Sequence, residues 1–203
     1  MFAAGAALAW NAKGLDARNL LAVLSRDVFE DGTGKVAAVG FKLGFAHRKL
    51  GVKTVNETPL GTVIAAPKPE DRELFCRNGL KWSTRIPAEK ILAALKEIEN
   101  QRKILARATL KSESGKVLAR ELDLAARMAE QSCKFMLWQQ AVASQGRGGA
   151  ARRPGQQMAR QSIRELQKLE KDFNADWPLR NKATAKHCSP FLQWRIEELT
   201  RTI

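Results

Sequence analysis

The sequence has few of the residues from which metal sites and disulfide frameworks are built, and it has no long apolar run. Three cysteines and two histidines are spread over 203 residues. An odd number of distant cysteines without a C-x-x-C pair predicts free thiols, and so few histidines argue against a zinc site. No apolar run approaches the roughly 20 residues that span a bilayer. We therefore expect a soluble chain with no metal, no cofactor and no membrane span.

The first residues do not have the pattern of a signal peptide, and their composition is typical of a segment within a larger protein. Residues 1–10 lack a basic flank and are too short for a good signal peptide. Residues 2–10 are small and apolar on both alternating faces, as in a strand buried on both sides of a parallel sheet or barrel, with a short buried helix as the alternative. The pattern leaves open the compartment and whether Met1 is a true start. We expect the C-terminal part of a bigger protein.

No arrangement of residues in the sequence predicts a catalytic site. His187 and Cys188 are adjacent, and adjacent side chains rarely face each other, while His47 is flanked by basic residues. The glycine cluster at 146–149 lacks the preceding strand and the following Lys-Ser/Thr of a phosphate-binding loop. The acidic residues of the C-terminal part, Glu130 among them, fall mostly at helix positions expected to face solvent. The chain alone is therefore expected to be inactive.

The net charge of +14 is typical of proteins that bind nucleic acids. The excess is spread, however, because residues 1–84, 85–143 and 144–203 contribute +4, +4 and +6. A spread excess more often reflects a solvated surface than a dedicated groove. Binding to nucleic acid or to an acidic protein is thus the alternative function. It predicts that five basic residues near the last loop cluster on one surface: Arg147, Arg152, Arg153, Arg160 and Arg164.

Hydrophobic periodicity predicts helices through most of the chain. In the first part we expect helices over 15–29, 36–50 and 70–78, with a turn at 31–34, a proline-rich loop at 51–69 and a connector at 79–85. From Pro87 the pattern predicts a helix of about 20 residues, then helices over 117–142, 156–173 and from 190, separated by a turn at 112–115, a flexible basic loop at 144–155 and an elbow at 176–182. Short links between long helices favour an antiparallel up-down bundle.

Trp10 and Asn11 are the candidate binding residues. Trp10 ends the predicted strand, and in a (β/α)8 barrel the C-terminal ends of the strands face the active site. An indole there can stack on a sugar ring, and Asn11 beside it can hydrogen-bond a hydroxyl group. The equally open alternative is that Trp10 packs in a core. Core packing is what we expect of the other four tryptophans, Trp82, Trp138, Trp177 and Trp194.

Three short segments of the chain resemble parts of a known family. They are the run G-A-A-L-A-W-N at 5–11, the helical stretch from E-L-D-L-A-A-R-M at 121–128 through 138, and the run W-P-L-R-N-K at 177–182. They are similar to the last barrel strand, the central helix of the C-terminal region and the elbow before the final helix of bacterial glycoside hydrolases of the family 20 type, the β-N-acetylhexosaminidases.

The resemblance implies a chemistry that needs residues outside this chain. Members of the family use an Asp-Glu pair on an earlier barrel strand, in which Glu is the general acid and Asp orients the acetamido group of the substrate, which attacks the anomeric carbon. The nearest local match, Asp71-Arg72-Glu73, lies in a proline-flanked helical stretch rather than at a strand end. The implied role is a non-catalytic segment of a glycosidase that completes and buttresses the barrel, with carbohydrate and the rest of the barrel as partners.

The resulting expectation is a mainly α chain in three parts. Residues 1–50 form the end of a (β/α)8 barrel, residues 51–86 a connector and residues 87–203 an antiparallel helical bundle. Because seven of eight barrel strands are missing, residues 1–50 are expected to expose surface meant for the missing neighbours. A third hypothesis is a structural module that dimerises through the 117–142 helix. The sequence indicates neither the sugar nor the oligomeric state.

Overall fold

The chain is mainly helical, which confirms the mainly α character of the predicted fold. The computed structural model describes residues 17–53, 57–72, 80–144, 152–182, 189–201 and 203. Seven α-helices lie in these ranges: α1 Ala17–Asp27, α2 Val36–Phe45, α3 Pro59–Ala65, α4 Ala88–Leu105, α5 Glu113–Ala143, α6 Arg152–Asp176 and α7 Pro190–Thr200. Short 3-10 helices span Ala46–Leu50, Lys81–Arg85 and Trp177–Leu179.

Strand structure in the described ranges is limited to one isolated bridge, between Asp31 and Leu110. The strand predicted at 2–10 and most of the helix predicted at 70–78 lie outside the described residues. Among the described helices, none combines the length and the apolar character that a membrane span requires.

The helix α3 corrects the prediction that residues 51–69 form a loop. The three prolines of residues 51–69 suggest the absence of a helix. Pro59, however, occupies the first turn of α3, where the missing N–H has no cost. The Thr58 hydroxyl oxygen caps the helix by accepting a hydrogen bond from the Gly61 N–H at 3.0 Å. Leu60, Val63 and Ile64 are buried, and their spacing is that of one helical face.

Two long helices begin earlier than the periodicity predicts. The stretch 112–115, expected as a turn, forms the cap and first turn of α5, because the Ser112 hydroxyl oxygen accepts a hydrogen bond from the Gly115 N–H at 3.1 Å. The basic loop expected at 144–155 is also shorter than predicted, since α6 is helical from Arg152. Pro154 lies in the first turn of α6, where N–H groups have no partner within the helix.

One main hydrophobic core runs from Ala46 to Leu199 and joins α3, α4, α5, α6 and α7. Residues of the predicted connector, such as Val63 and Leu80, lie in this cluster together with residues of the long helices. A second, smaller cluster joins α2 to α4 and α5 through Val36, Leu105 and Ala119. The described part of residues 36–86 therefore packs directly against the long helices.

Candidate functional site

The turn between α1 and α2 is held by the buried carboxylate of Asp31. Its Oδ2 accepts hydrogen bonds from the N–H groups of Lys35 at 2.8 Å and Val36 at 3.0 Å. Its Oδ1 accepts from the N–H groups of Thr33 at 2.9 Å and Thr109 at 3.3 Å. Burial alone would raise the pKa of Asp31, but these hydrogen bonds outweigh it and hold the pKa below its ordinary value. Asp31 is therefore an ionised anchor for the N-terminus of α2.

The same turn is fixed to the loop that precedes α5. The Gly32 N–H donates to the Thr109 carbonyl at 2.8 Å, and the Lys111 N–H donates to the Glu30 carbonyl at 3.2 Å. The first turn of α5 comes so close that a Cβ on residue 115 would overlap the backbone carbonyl of Phe29. The α1–α2 hairpin is thus attached to the long helices at its turn as well as through the inner face of α2.

The outer side of this hairpin is apolar and exposed. Phe41 and Phe45 on α2 are 55% and 36% exposed, and Val23 and Val28 on and beside α1 are 42% and 45% exposed. We call these four residues the hairpin face. Helix α1 packs mainly against α2, so its apolar residues are at best half-buried in the described structure. Several exposed apolar side chains on one hairpin, two of them in ring contact, are typical of a surface that contacts a partner.

Basic groups border the two phenylalanines. The Arg48 guanidinium lies over the Phe45 ring, 3.9 Å from the ring centroid, and Phe41 and Phe45 make an edge contact with centroids 4.6 Å apart. Residues 32–56 contain five Lys and Arg residues and no acid. The hairpin face therefore suits an apolar partner surface that carries carboxylates at its border.

A second feature is a charged groove of about 520 Å³ between α4, α5 and α6. Arg102 donates to Asp123 at 2.7 Å and to both oxygens of Glu130 at 3.0 Å. Further along, Arg127 donates to Asp172 and Lys134 donates to Glu165. Each carboxylate in the groove has a basic partner, so the groove ties the helices together and does not present a free pair of acids.

Glu130 corrects the prediction that the acidic residues of α5 face solvent. It is only 6% exposed, and burial raises its pKa although the Arg102 contacts oppose the rise. The neighbouring Cys133 is fully buried, and burial raises the pKa of its thiol to about 12. A thiol in that state is a poor nucleophile.

An apolar pocket of about 330 Å³ lies where α5 meets the end of α6. Leu124, Met128, Phe173 and Trp177 line it, with the Phe173 and Trp177 ring centroids 5.1 Å apart. Trp138 is buried, as expected of a core tryptophan, whereas Trp177 is only half-buried.

The structure does not describe the residues predicted to bind sugar. Trp10 and Asn11 lie outside the described ranges, as do His187 and Cys188. The Nδ1 atom of His47 is 2.9 Å from the Gly44 carbonyl oxygen, which is a local helix contact.

In the part of the chain that the structure covers, no group of three or more His, Cys, Asp and Glu side chains is placed to hold a metal ion. A scan against protein-family models, a search of curated proteins and a search of solved structures each returned no match.

Proposed function

We propose that this chain is the non-catalytic C-terminal segment of a glycoside hydrolase resembling the β-N-acetylhexosaminidases. In this proposal residues 1–50 complete a (β/α)8 barrel, the long helices buttress it, and Trp10 and Asn11 contact the sugar. The proposal follows from the three sequence segments that resemble that family. Catalysis would belong to the whole enzyme, because the acid pair is expected on an earlier strand.

The hairpin face is the observation that carries this proposal. A helix that is apolar on both faces is normally buried on both. Helix α2 buries Val36 and Val39 on its inner side and exposes Phe41 and Phe45 on its outer side. The exposed side of α2 belongs to residues 1–50. The resemblance implies that this segment packs against the remaining strands and helices of the barrel. A barrel wall packed on these residues would remove the apolar surface from water.

We also propose that the long helices form an antiparallel up-down bundle. The order of the contacts between helices supports it. Along α5, Arg120 pairs with Asp176, Arg127 with Asp172 and Lys134 with Glu165, so the partners on α6 run backwards. Along α4, the Arg102 side chain at its C-terminal end reaches the first half of α5, whereas the Gln140 side chain near the end of α5 reaches the Ile86 carbonyl before α4. Reversed contact order of this kind is typical of antiparallel neighbours.

The first test is to express the reading frame upstream of the Met1 codon together with the 203 residues, beside the 203 residues alone. Both products are assayed for release of a chromogenic leaving group from an N-acetyl-β-glucosaminide. We expect the longer product to hydrolyse the substrate and the 203-residue chain to be inactive. A stop codon in frame directly upstream, or a folded longer product without activity, would contradict the proposal.

A matched pair of variants in the longer product tests the role of the hairpin face. Phe41→Asp places a charge in the proposed contact with the barrel and is expected to lower soluble yield and activity together. Leu92→Asp is the control, because Leu92 is similarly exposed, at 51%, but belongs to α4 and not to the α1–α2 hairpin. Equal effects of the two substitutions would show that the hairpin face has no partner in the enzyme.

A further inference from the structure

The outer side of α6 carries a straight row of basic residues. Arg153, Arg160, Arg164 and Lys171 are spaced by seven, four and seven residues, which places them within about 20° of one line along a helix of 3.6 residues per turn. All four are exposed. At 1.5 Å per residue the row is about 27 Å long. We call these four residues the α6 ridge.

The ridge lies opposite the buried side of its helix. Ala159, Leu166 and Leu169, which pack into the main core, are centred on the other side of the helix axis. The acids of α6 flank the buried side, where Glu165 pairs with Lys134 and Asp172 pairs with Arg127. The charges of these two acids are therefore used in the contact with α5, whereas the Glu170 carboxylate accepts hydrogen bonds from the Gln193 side chain of α7.

Within the part of the chain that the structure describes, no ridge side chain forms an ion pair. The described salt bridges of α6 are made by its acids, with Arg120, Arg127 and Lys134 of α5. The amides Gln157 and Gln167 flank the row on the helix surface, and the acids of α6 lie about 100° or more around the helix from it. The ridge is thus a line of uncompensated positive charge.

We infer that the α6 ridge binds duplex nucleic acid through its phosphates. The row is straight, and it is long enough to run beside several consecutive phosphates, since one strand of a duplex carries a phosphate for every 3.4 Å or so of helix axis. A single helix about 10–12 Å across matches the width of the major groove, about 12 Å. Arginine and glutamine are residues that contact phosphates and base edges.

The composition of the ridge argues against other anionic surfaces. A helix that lies on a membrane needs an apolar side facing the lipid, and the apolar side of α6 is buried in the protein core. An acidic protein surface would satisfy the charge but does not require a straight row of this length. The inference is independent of the proposed glycosidase role, because it uses neither residues 1–50 nor the hairpin face.

The test measures the affinity of the full chain for a labelled duplex of about 20 base pairs by fluorescence anisotropy over roughly 50 to 200 mM KCl. With four phosphate contacts, a plot of the logarithm of the association constant against the logarithm of the salt concentration should have a slope of about −3.6. The double variant Arg160→Gln with Arg164→Gln is expected to reduce the slope to about −1.8. A wild-type slope shallower than this last value would overturn the inference.

The control removes the same charge elsewhere. Arg85→Gln with Arg107→Gln replaces two exposed arginines outside α6 that make no ion pair with described residues. If this control changes the slope as much as the ridge variant does, the binding reflects total charge and the inference fails. Competition by poly-glutamate as effective as competition by unlabelled duplex, at equal charge concentration, would also overturn it in favour of an acidic protein partner.

Discussion

Replacing Asp31 with asparagine tests whether the α1–α2 hairpin is held by one ionised carboxylate. Each carboxylate oxygen accepts two backbone N–H groups: Thr33 and Thr109 at Oδ1, and Lys35 and Val36 at Oδ2. An asparagine amide has one oxygen and one NH₂ group. Whichever way it turns, the NH₂ group faces two N–H donors and cannot accept from them.

The magnitude follows from the number of hydrogen bonds lost. A hydrogen bond to a charged group contributes about 1.5–3 kcal/mol to stability. Two lost bonds therefore predict that Asp31→Asn lowers the free energy of unfolding by about 3 kcal/mol or more. For a chain of this size, about 1 kcal/mol corresponds to roughly 2–4 °C in Tm, so we expect a fall of roughly 6–12 °C.

The sign of the pH dependence follows from the lowered pKa of Asp31. A carboxylate whose folded pKa lies below its unfolded value of about 3.9 stabilises the fold fully above that value. The contribution is lost as the pH falls through the folded pKa. The difference in stability between wild type and Asp31→Asn should therefore be largest near neutral pH and should shrink in acid.

The assay is thermal and denaturant unfolding followed by circular dichroism at several pH values. Asp27→Asn is the matched control, because Asp27 is half-exposed and its described ion-pair partner is the neighbouring Arg26. The control should leave the midpoint unchanged. An Asp31→Asn variant within about 1 kcal/mol of wild type at neutral pH would refute the reasoning, as would a difference that does not shrink in acid.

Two further substitutions test contacts that join distant parts of the chain. Glu198→Gln removes a carboxylate that both Arg72 and Arg195 contact, and weakening an ion pair of each of these buried arginines predicts a loss of about 3–5 kcal/mol in denaturant unfolding. A loss below about 1 kcal/mol would contradict this prediction. Gly115→Ala should cost about 1–3 kcal/mol, because its Cβ overlaps a backbone carbonyl of the α1–α2 turn. Gly44→Ala, where a Cβ meets open space, should instead stabilise by up to about 1 kcal/mol.

The fold class could be predicted because the long helices have strong periodicity and local caps. The spacing of Ile91 and Ile98 on α4 is visible in the sequence, and Ser189-Pro190 marks the start of α7 as predicted. The helix α3 could not be separated from a loop by its composition. Its existence depends on Thr58 capping the first turn and on packing against α5, where the Ser132 hydroxyl donates to the Leu60 carbonyl at 2.7 Å.

The burial of Glu130 was hidden for a different reason. The periodicity of α5 alone places Glu130 at the border of the apolar face of the helix, and its burial depends on the ion pair with Arg102 of α4. A signal was present, because Arg102 falls on the inward face of α4 in the same pattern that identifies the core residues. In this chain the basic residue on the inner face of α4 pairs with the buried acid of the neighbouring helix.

The charge distribution shows how an even spread along the sequence can become a concentrated surface. Counted over residues 1–84, 85–143 and 144–203, the positive excess is +4, +4 and +6. Folding then pairs three of the four acids of α6 with basic residues of α5, and leaves Arg153, Arg160 and Arg164 on the outer side of α6. These are three of the five arginines expected to cluster, and the side chains of the other two, Arg147 and Arg152, lie outside the described set.

The hairpin face and the α6 ridge can be tested separately, because they lie on different helices. Helix α1 packs mainly against α2, and α6 packs mainly against α5 and α7, so a partner on one surface need not cover the other. If Phe41→Asp lowers glycosidase activity and leaves duplex binding intact, the two surfaces act independently. If the same substitution also lowers duplex binding, the nucleic acid contacts the basic border of the hairpin, where Arg48 lies over Phe45, and the ridge is not the main site. Comparing Phe41→Asp with the Arg160 and Arg164 double variant in both assays decides between these arrangements.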